Sequence, residues 1–116
     1  MIKLRLPWPP SINHYWRMVN NRMIISAAGR EYAALVAYEI KQQRSHMALA
    51  GRLSVAITAT MPDKRRRDID NLIKVSLDSL TKAGVWEDDS QIDELAILRG
   101  GVTKPGWLDV TVCEIE

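Results

Sequence analysis

Asp68 and Asp70 flank Ile69 at the head of a stretch with helical periodicity, Asn71 follows them, and Lys74 stands one turn beyond Asp70. A second acidic pair, Asp88 and Asp89, comes after the same stretch. Carboxylates grouped without histidine or cysteine partners suit a hard, oxygen-seeking ion, Mg2+ or Mn2+ in preference to zinc. An ion held by two or three carboxylates keeps positions open for a water and a phosphate oxygen. Phosphodiester hydrolysis needs just those things, an activated nucleophile and a counter-charge for the pentavalent transition state. Lys74 would stabilise developing phosphate charge or orient the nucleophile, its ammonium form favoured by the neighbouring carboxylates.

Helical geometry constrains this arrangement. Residues at i and i+2 do not share a face, so Asp68 and Asp70 converge only if Asp68 lies in the preceding loop, at or before the N-cap. The short loop after the helix and the strand start beyond it are expected to return one of Asp88 and Asp89 toward that pair. Plainer readings stand beside these. Aspartate is a favoured cap and first-turn residue. Asp70 and Lys74 have the spacing of an ordinary surface ion pair, and Asp88-Asp89 have the composition of a solvated acidic turn.

Lys64, Arg65, Arg66 and Arg67 lead directly into the acidic motif. Cations hold a nucleic-acid backbone by counterion release, and beside a helix start they make a phosphate site and offset the repulsion of the carboxylates. The alternative is a solvated turn. Among the aromatics, Trp8, Tyr15 and Trp16 lie in an irregular N-terminal segment, where they either stack on an unpaired base or insert at a branch point, or else anchor the loop. Tyr32 and Tyr38 belong to a helix, and Trp86 and Trp107 pack on the sheet. His14 and His46 have no partners at metal-ligand spacing. No Gly-rich phosphate loop, Ser-His-Asp order or zinc signature is present.

The elements that must position these groups follow from periodicity. Ile2, Leu4 and Leu6 alternate with Lys3 and Arg5 as in a half-buried strand, which Pro7-Trp8-Pro9-Pro10 stops. Residues 7–25 read as irregular. Ser26 caps a helix over about 27–46, with Tyr32, Leu35, Val36 and Ile40 facing the core and a polar, cationic end. Strict alternation predicts a strand over 53–61, ended by Pro62. A second helix follows over about 69–83, with an apolar stripe of Ile69, Ile73, Leu77 and Leu80 and with Gly84 at C′. Two more strands, 91–99 and 107–115, are separated by Gly100-Gly101 and Pro105-Gly106. The order β-α-β-α-β-β predicts an α+β fold with α/β-type layering, a mixed four-stranded sheet carrying two helices in one domain, 1–116.

The bulk numbers agree with an ordinary globule. A chain of 116 residues supports one core. The formal net charge of +2 is compatible with nucleic-acid binding without arguing for it, but the charges are segregated along the chain. Cys113 is the one cysteine, so neither an internal disulfide nor a zinc cluster is expected, and a reducing, cytoplasmic setting follows. The opening residues lack the apolar core of a signal peptide, and no apolar stretch reaches membrane-spanning length.

The assembled segment Met61-Pro62-Asp63-Lys64-Arg65-Arg66-Arg67-Asp68-Ile69-Asp70-Asn71 resembles the RusA family of Holliday junction resolvases. The resemblance continues through Lys74, Thr81-Lys82-Ala83-Gly84-Val85-Trp86 and Asp88-Asp89, and includes Leu6-Pro7-Trp8-Pro9-Pro10-Ser11 and Asn13. It implies that Asp68, Asp70 and Asp89 bind the metal, with Asp88 the alternative third ligand, and that Lys74 is the catalytic lysine. It implies too that Arg67 and its basic neighbours contact DNA. The implied protein is a Mg2+-dependent homodimer, with Mn2+ able to substitute, that nicks a four-way DNA junction symmetrically and uses no small-molecule cofactor and no membrane. Two equivalent phosphodiesters in such a junction match the two sites of a twofold pair. Family members are common in phages and prophages, which suggests a bacterial or phage origin. Two other readings remain open, a non-catalytic branched-DNA-binding module and a nuclease acting on a different branched nucleic acid.

Overall fold

Alternation builds the centre of the molecule. Leu53, Val55, Ile57, Ala59 and Met61 are all buried on one face of a single strand, with smaller and polar residues on the other. The computed structural model describes residues 1–43 and 48–116. In chain order the elements are β1 (Ile2–Pro7), α1 (Ile12–Tyr15), β2 (Trp16–Val19), β3 (Arg22–Ile25), α2 (Ala27–Gln42), β4 (Leu53–Met61), α3 (Ile73–Lys82), β5 (Ile92–Val102) and β6 (Trp107–Glu114). Short 3-10 turns at Ile69–Leu72 and Asp89–Gln91 precede α3 and β5.

The main sheet has the order β1-β6-β4-β5. β6 runs antiparallel to both β1 and β4, whereas β4 and β5 are parallel, so the sheet is mixed as expected. A parallel pair needs a crossover, and α3 supplies it. The buried face of β4 joins Leu4, Leu6, Leu108, Val110 and Val112 to Tyr32, Val36 and Ile40 of α2, Val75 and Leu80 of α3, and Trp86. Each large side chain so buried contributes roughly 1.5–3 kcal/mol. Ser26 caps α2 as the sequence indicates, its Oγ accepting from the Gly29 N–H at 3.0 Å. Gly84, with φ +85°, ends α3 in the left-handed conformation that favours glycine.

Several expectations are corrected. Residues 7–25 are not irregular: they hold α1 and a second, two-stranded sheet, the β2–β3 hairpin. Its turn residues Asn20 and Asn21 have φ +50° and +61°, the left-handed pair of a tight hairpin turn. The hairpin seats on α2 at Gly29, where a Cβ would collide with the Tyr15 carbonyl and the Ile25 side chain. Helix α2 ends at Gln42, and the expected extension over 44–46 lies outside the described residues. Leu35 is exposed, because the buried face is Gly29, Tyr32, Val36 and Ile40, and Leu35 points about 100° away from Val36.

The second helix also differs. Its buried face is Leu72, Val75, Ser76, Ser79 and Leu80, with Ile73 and Leu77 only half-buried. The apolar pattern misled because two inward positions are serines. They are small enough for close packing, and the Ser76 hydroxyl donates back to the Leu72 carbonyl. Gly100 and Gly101 lie inside β5 and do not form a turn. The strand runs on to Val102 opposite Met61, and the chain reverses at 103–106, where the Gly106 N–H donates to the Thr103 carbonyl at 2.8 Å.

Candidate functional site

Asp68 sits where the loop after β4 enters the 3-10 turn. Its backbone is extended, φ −91° and ψ 124°, and its carboxylate makes no capping hydrogen bond. Asp70 lies inside the turn, and both residues are exposed. The capping alternative therefore fails for Asp68. The ion-pair alternative fails for Asp70, since no contact within 4.0 Å joins it to Lys74 among the described residues.

The chain has eight aspartates, and five are committed to the fold. Asp63 binds Arg67 through two bonds of 2.6 and 3.2 Å and also accepts from the Arg65 N–H at 2.9 Å. Asp78 accepts from the Tyr15 hydroxyl and pairs with Lys82 at 3.1 Å. Asp88 caps the turn before β5, accepting from the Ser90 N–H at 3.0 Å, while the Gln91 side chain accepts from the Asp88 N–H at 2.8 Å. Asp93 holds Arg52, and Asp109 holds Arg5 and the Trp107 indole N–H. Among the described residues the three left without side-chain partners are Asp68, Asp70 and Asp89.

These three do not meet within one chain. The first two follow the C-terminal end of β4, and Asp89 precedes the N-terminal end of its parallel neighbour β5. The nine-residue length of β4 separates those ends, roughly 25 Å at the usual rise per residue. Among the described residues no three of His, Cys, Asp and Glu form a group able to hold a metal. The expected return of Asp88 or Asp89 toward Asp68 and Asp70 thus does not occur inside the chain.

The basic run divides. Arg67 is built into the fold: besides Asp63 it lies over the Trp8 ring, guanidinium to centroid 5.6 Å, and its carbonyl accepts from Arg99 Nη2 at 2.7 Å. The Arg67 side-chain hydrogen bond, with the Arg65 N–H, holds the Asp63 carboxyl well below the usual carboxylate range. Arg65 is tethered to Asp63 at 3.3 Å. Lys64 and Arg66 are exposed, with no side-chain partner among the described residues.

The N-terminal aromatics divide too. Tyr15 is buried and bound to Asp78; burial first, then that hydrogen bond, push its hydroxyl up to about 12. It is an anchor. Trp16 packs edge-on against it and lies under both Lys74 and Lys82, each Nζ 5.8 Å from the ring centroid. Beside Lys74 opens a cavity of about 660 Å³, lined by residues of α1, the hairpin and α3. Sequence reasoning missed the part of this wall formed by Asn13, Met18 and Met23, although alternation around Asn20-Asn21 carried a hairpin signal. His14 is held by Ser11 at 3.0 Å, and His46 lies outside the described residues.

A protein-family model described as "Endodeoxyribonuclease RusA" matches residues 7–112. The crossover junction endodeoxyribonuclease rusA of Enterobacteria phage 82 is 46% identical over 112 residues, 97% of this chain and 93% of that one. The crossover junction endodeoxyribonuclease RusA of Escherichia coli strain K12 is 44% identical over the same shares. That of Enterobacteria phage HK97 is 40% identical over 96% of this chain and 92% of its own.

Proposed function

The chain belongs to the RusA endodeoxyribonuclease family, and we propose from there that it is a crossover junction endodeoxyribonuclease, cutting four-way (Holliday) DNA junctions during recombination. The observation that carries the site is the commitment of the aspartates. Five are bound into the fold, and the three without partners among the described residues are the three that the family resemblance picks out as metal ligands. Asp88 is occupied as a cap, which favours Asp89 as the third ligand.

Exposed, uncommitted carboxylates fit Mg2+, with Mn2+ as a substitute, because a hard cation prefers charged oxygen donors and keeps several waters. Asp68 and Asp70 would hold it. When bound, the ion supplies a water activated at neutral pH and a counter-charge at the phosphate. Lys74, one turn beyond Asp70, donates its ammonium N–H groups to a non-bridging phosphate oxygen and so stabilises the charge that develops there. Lys64 and Arg66 hold the backbone of the DNA by charge, while Arg67 positions the loop from Asp63 and Trp8.

Asp89 joins this site if it comes from a second copy. β5 is the sheet edge beside the site, eleven residues long, and it exposes Leu95, Leu98 and Val102. A long apolar edge is a pairing surface. A twofold that runs β5 antiparallel to its copy carries Asp89, at the head of one strand, toward the Arg99–Val102 end of the other, where Asp68 lies. The homodimer thus holds two composite sites, one for each of the two phosphodiesters a symmetric junction offers.

The test is a labelled four-way junction incubated with the protein, with Mg2+ and with EDTA. Paired nicks near the crossover, present with Mg2+ and absent with EDTA, are expected. Binding without nicks in Mg2+ would leave a non-catalytic DNA-binding module. Nicks confined to flap, linear duplex or RNA substrates would move the activity to another nucleic acid.

A further inference from the structure

Trp16, Met18, Met23 and Ile25 share one face of the β2–β3 hairpin, since Trp16 pairs with Ile25 and Met18 with Met23. Trp16 and Ile25 lean on the core. Met18 and Met23 project past it and are 65% and 63% exposed. Two thioether side chains held side by side in water add little to the fold, and exposed methionine is an adaptable contact surface. Here they roof the cavity beside Lys74, whose wall also includes Ile12, Asn13 and Trp16. The indole Nε1–H of Trp16 is buried and has no acceptor among the described residues. Its ring lies under the ammonium groups of Lys74 and Lys82.

We propose that this pocket receives an unstacked nucleobase of the strand being cut, so that the hairpin helps to select branched over linear DNA. The proposal rests on the endonuclease reading. The chemistry of the wall matches a nucleotide part by part. An aromatic ring and two polarisable thioethers offer flat apolar surface for stacking, which every base accepts. The Asn13 amide offers hydrogen bonds to a base edge. Lys74, which lines the pocket, supplies positive charge for the attached phosphate. Lys74 is shared with the candidate catalytic site, so a base in the pocket fixes its phosphate one helical turn from Asp70. A continuous duplex has no base to give without breaking a pair and two stacks, whereas a branch point already has incomplete stacking.

The test pairs a protein change with a DNA change. Met18→Ser/Met23→Ser removes the roof at exposed positions, and an abasic nucleotide next to the cut removes the base. With both intact, the fluorescence of 2-aminopurine at that nucleotide should change on binding to a non-cutting Asp70→Asn protein, and Met18→Ser/Met23→Ser in that protein should remove the change. Either change alone is expected to slow junction cutting about tenfold, the scale of one lost base stack. Together they should slow it no further, because both remove the same contact. Cutting by the double-serine protein at the unmodified rate, or multiplicative losses, or an equal loss of linear-duplex affinity, would overturn the pocket and leave the endonuclease intact. If the unmodified protein cuts no junction at all, it is the endonuclease reading that fails. Unchanged thermal unfolding of the double-serine protein excludes misfolding as the cause.

Discussion

Asp63 and Asp70 are seven residues apart and have opposite duties. Asp63 is locked between Arg67 and the Arg65 N–H, so its folded-state pKa is depressed. A depressed carboxylate contributes stability that is complete above its unfolded value, about 4, and is lost as pH falls through the folded value. Asp63→Asn should therefore lower the thermal midpoint at pH 7, and its deficit relative to the unmodified protein should shrink steadily below about pH 4. Calorimetry across that range measures it. Asp70 has no side-chain partner among the described residues, so Asp70→Asn should leave stability within about 0.5 kcal/mol of unmodified. Junction cutting by the same variant should fall at least about a hundredfold, the rate equivalent of a few kcal/mol of metal assistance. Retained junction binding with lost nicking is the expected signature, and a fall in stability would point to a structural role for Asp70.

At the scale of elements, the two short 3-10 turns matter more than the long helix between them. The first aims Asp68 and Asp70 outward, and the second, held by the Asp88–Gln91 capping box, presents Asp89. Asp88→Ala should loosen that turn and reduce cutting by less than Asp89→Asn does. Asp88→Asn should restore most of the loss, because asparagine caps about as well as aspartate. Equal losses for Asp88→Asn and Asp89→Asn in the junction assay would instead make Asp88 a metal ligand. The strands were legible because alternation is a local pattern, and so was the α2 cap. The hairpin is not legible in the same way, since Asn13, His14, Asn20 and Asn21 read as turn-formers of an irregular segment and its strands are only four residues each. The α3 face was misread because serine counts as polar in a pattern, whereas Ser76 satisfies its hydroxyl within the helix and is buried.

At the scale of the whole molecule, the parallel β4–α3–β5 unit sends Asp89 to the far end of the sheet from Asp68. A site shared across a twofold predicts complementation. Asp70→Asn and Asp89→Asn proteins, each inactive alone, should regain nicking when mixed and allowed to exchange subunits. The mixed dimer holds one site with all three carboxylates and one with neither Asp70 nor Asp89, so half the sites are restored and single nicks predominate. A site contained in one chain predicts no recovery at any ratio. Size-exclusion of the two tagged proteins confirms exchange and makes a null result decisive.

Residue chemistry and local periodicity were enough to determine the adjacency of the acidic motif to a basic run, the central strand, the α2 cap and the mixed α+β sheet. Those properties depend on side-chain type and on neighbours within a few positions. Only the tertiary structure decided that Asp109, Asp93 and Asp78 are already committed, because their partners lie far along the chain: Arg5, Arg52 and Tyr15 respectively. It also decided that Asp89 stands apart from Asp68 and Asp70, since the direction of β5 relative to β4 is a property of strand pairing and not of either strand. The position of the hairpin over Lys74 is of the same kind, set by the contact of Tyr15 and Ile25 with Gly29.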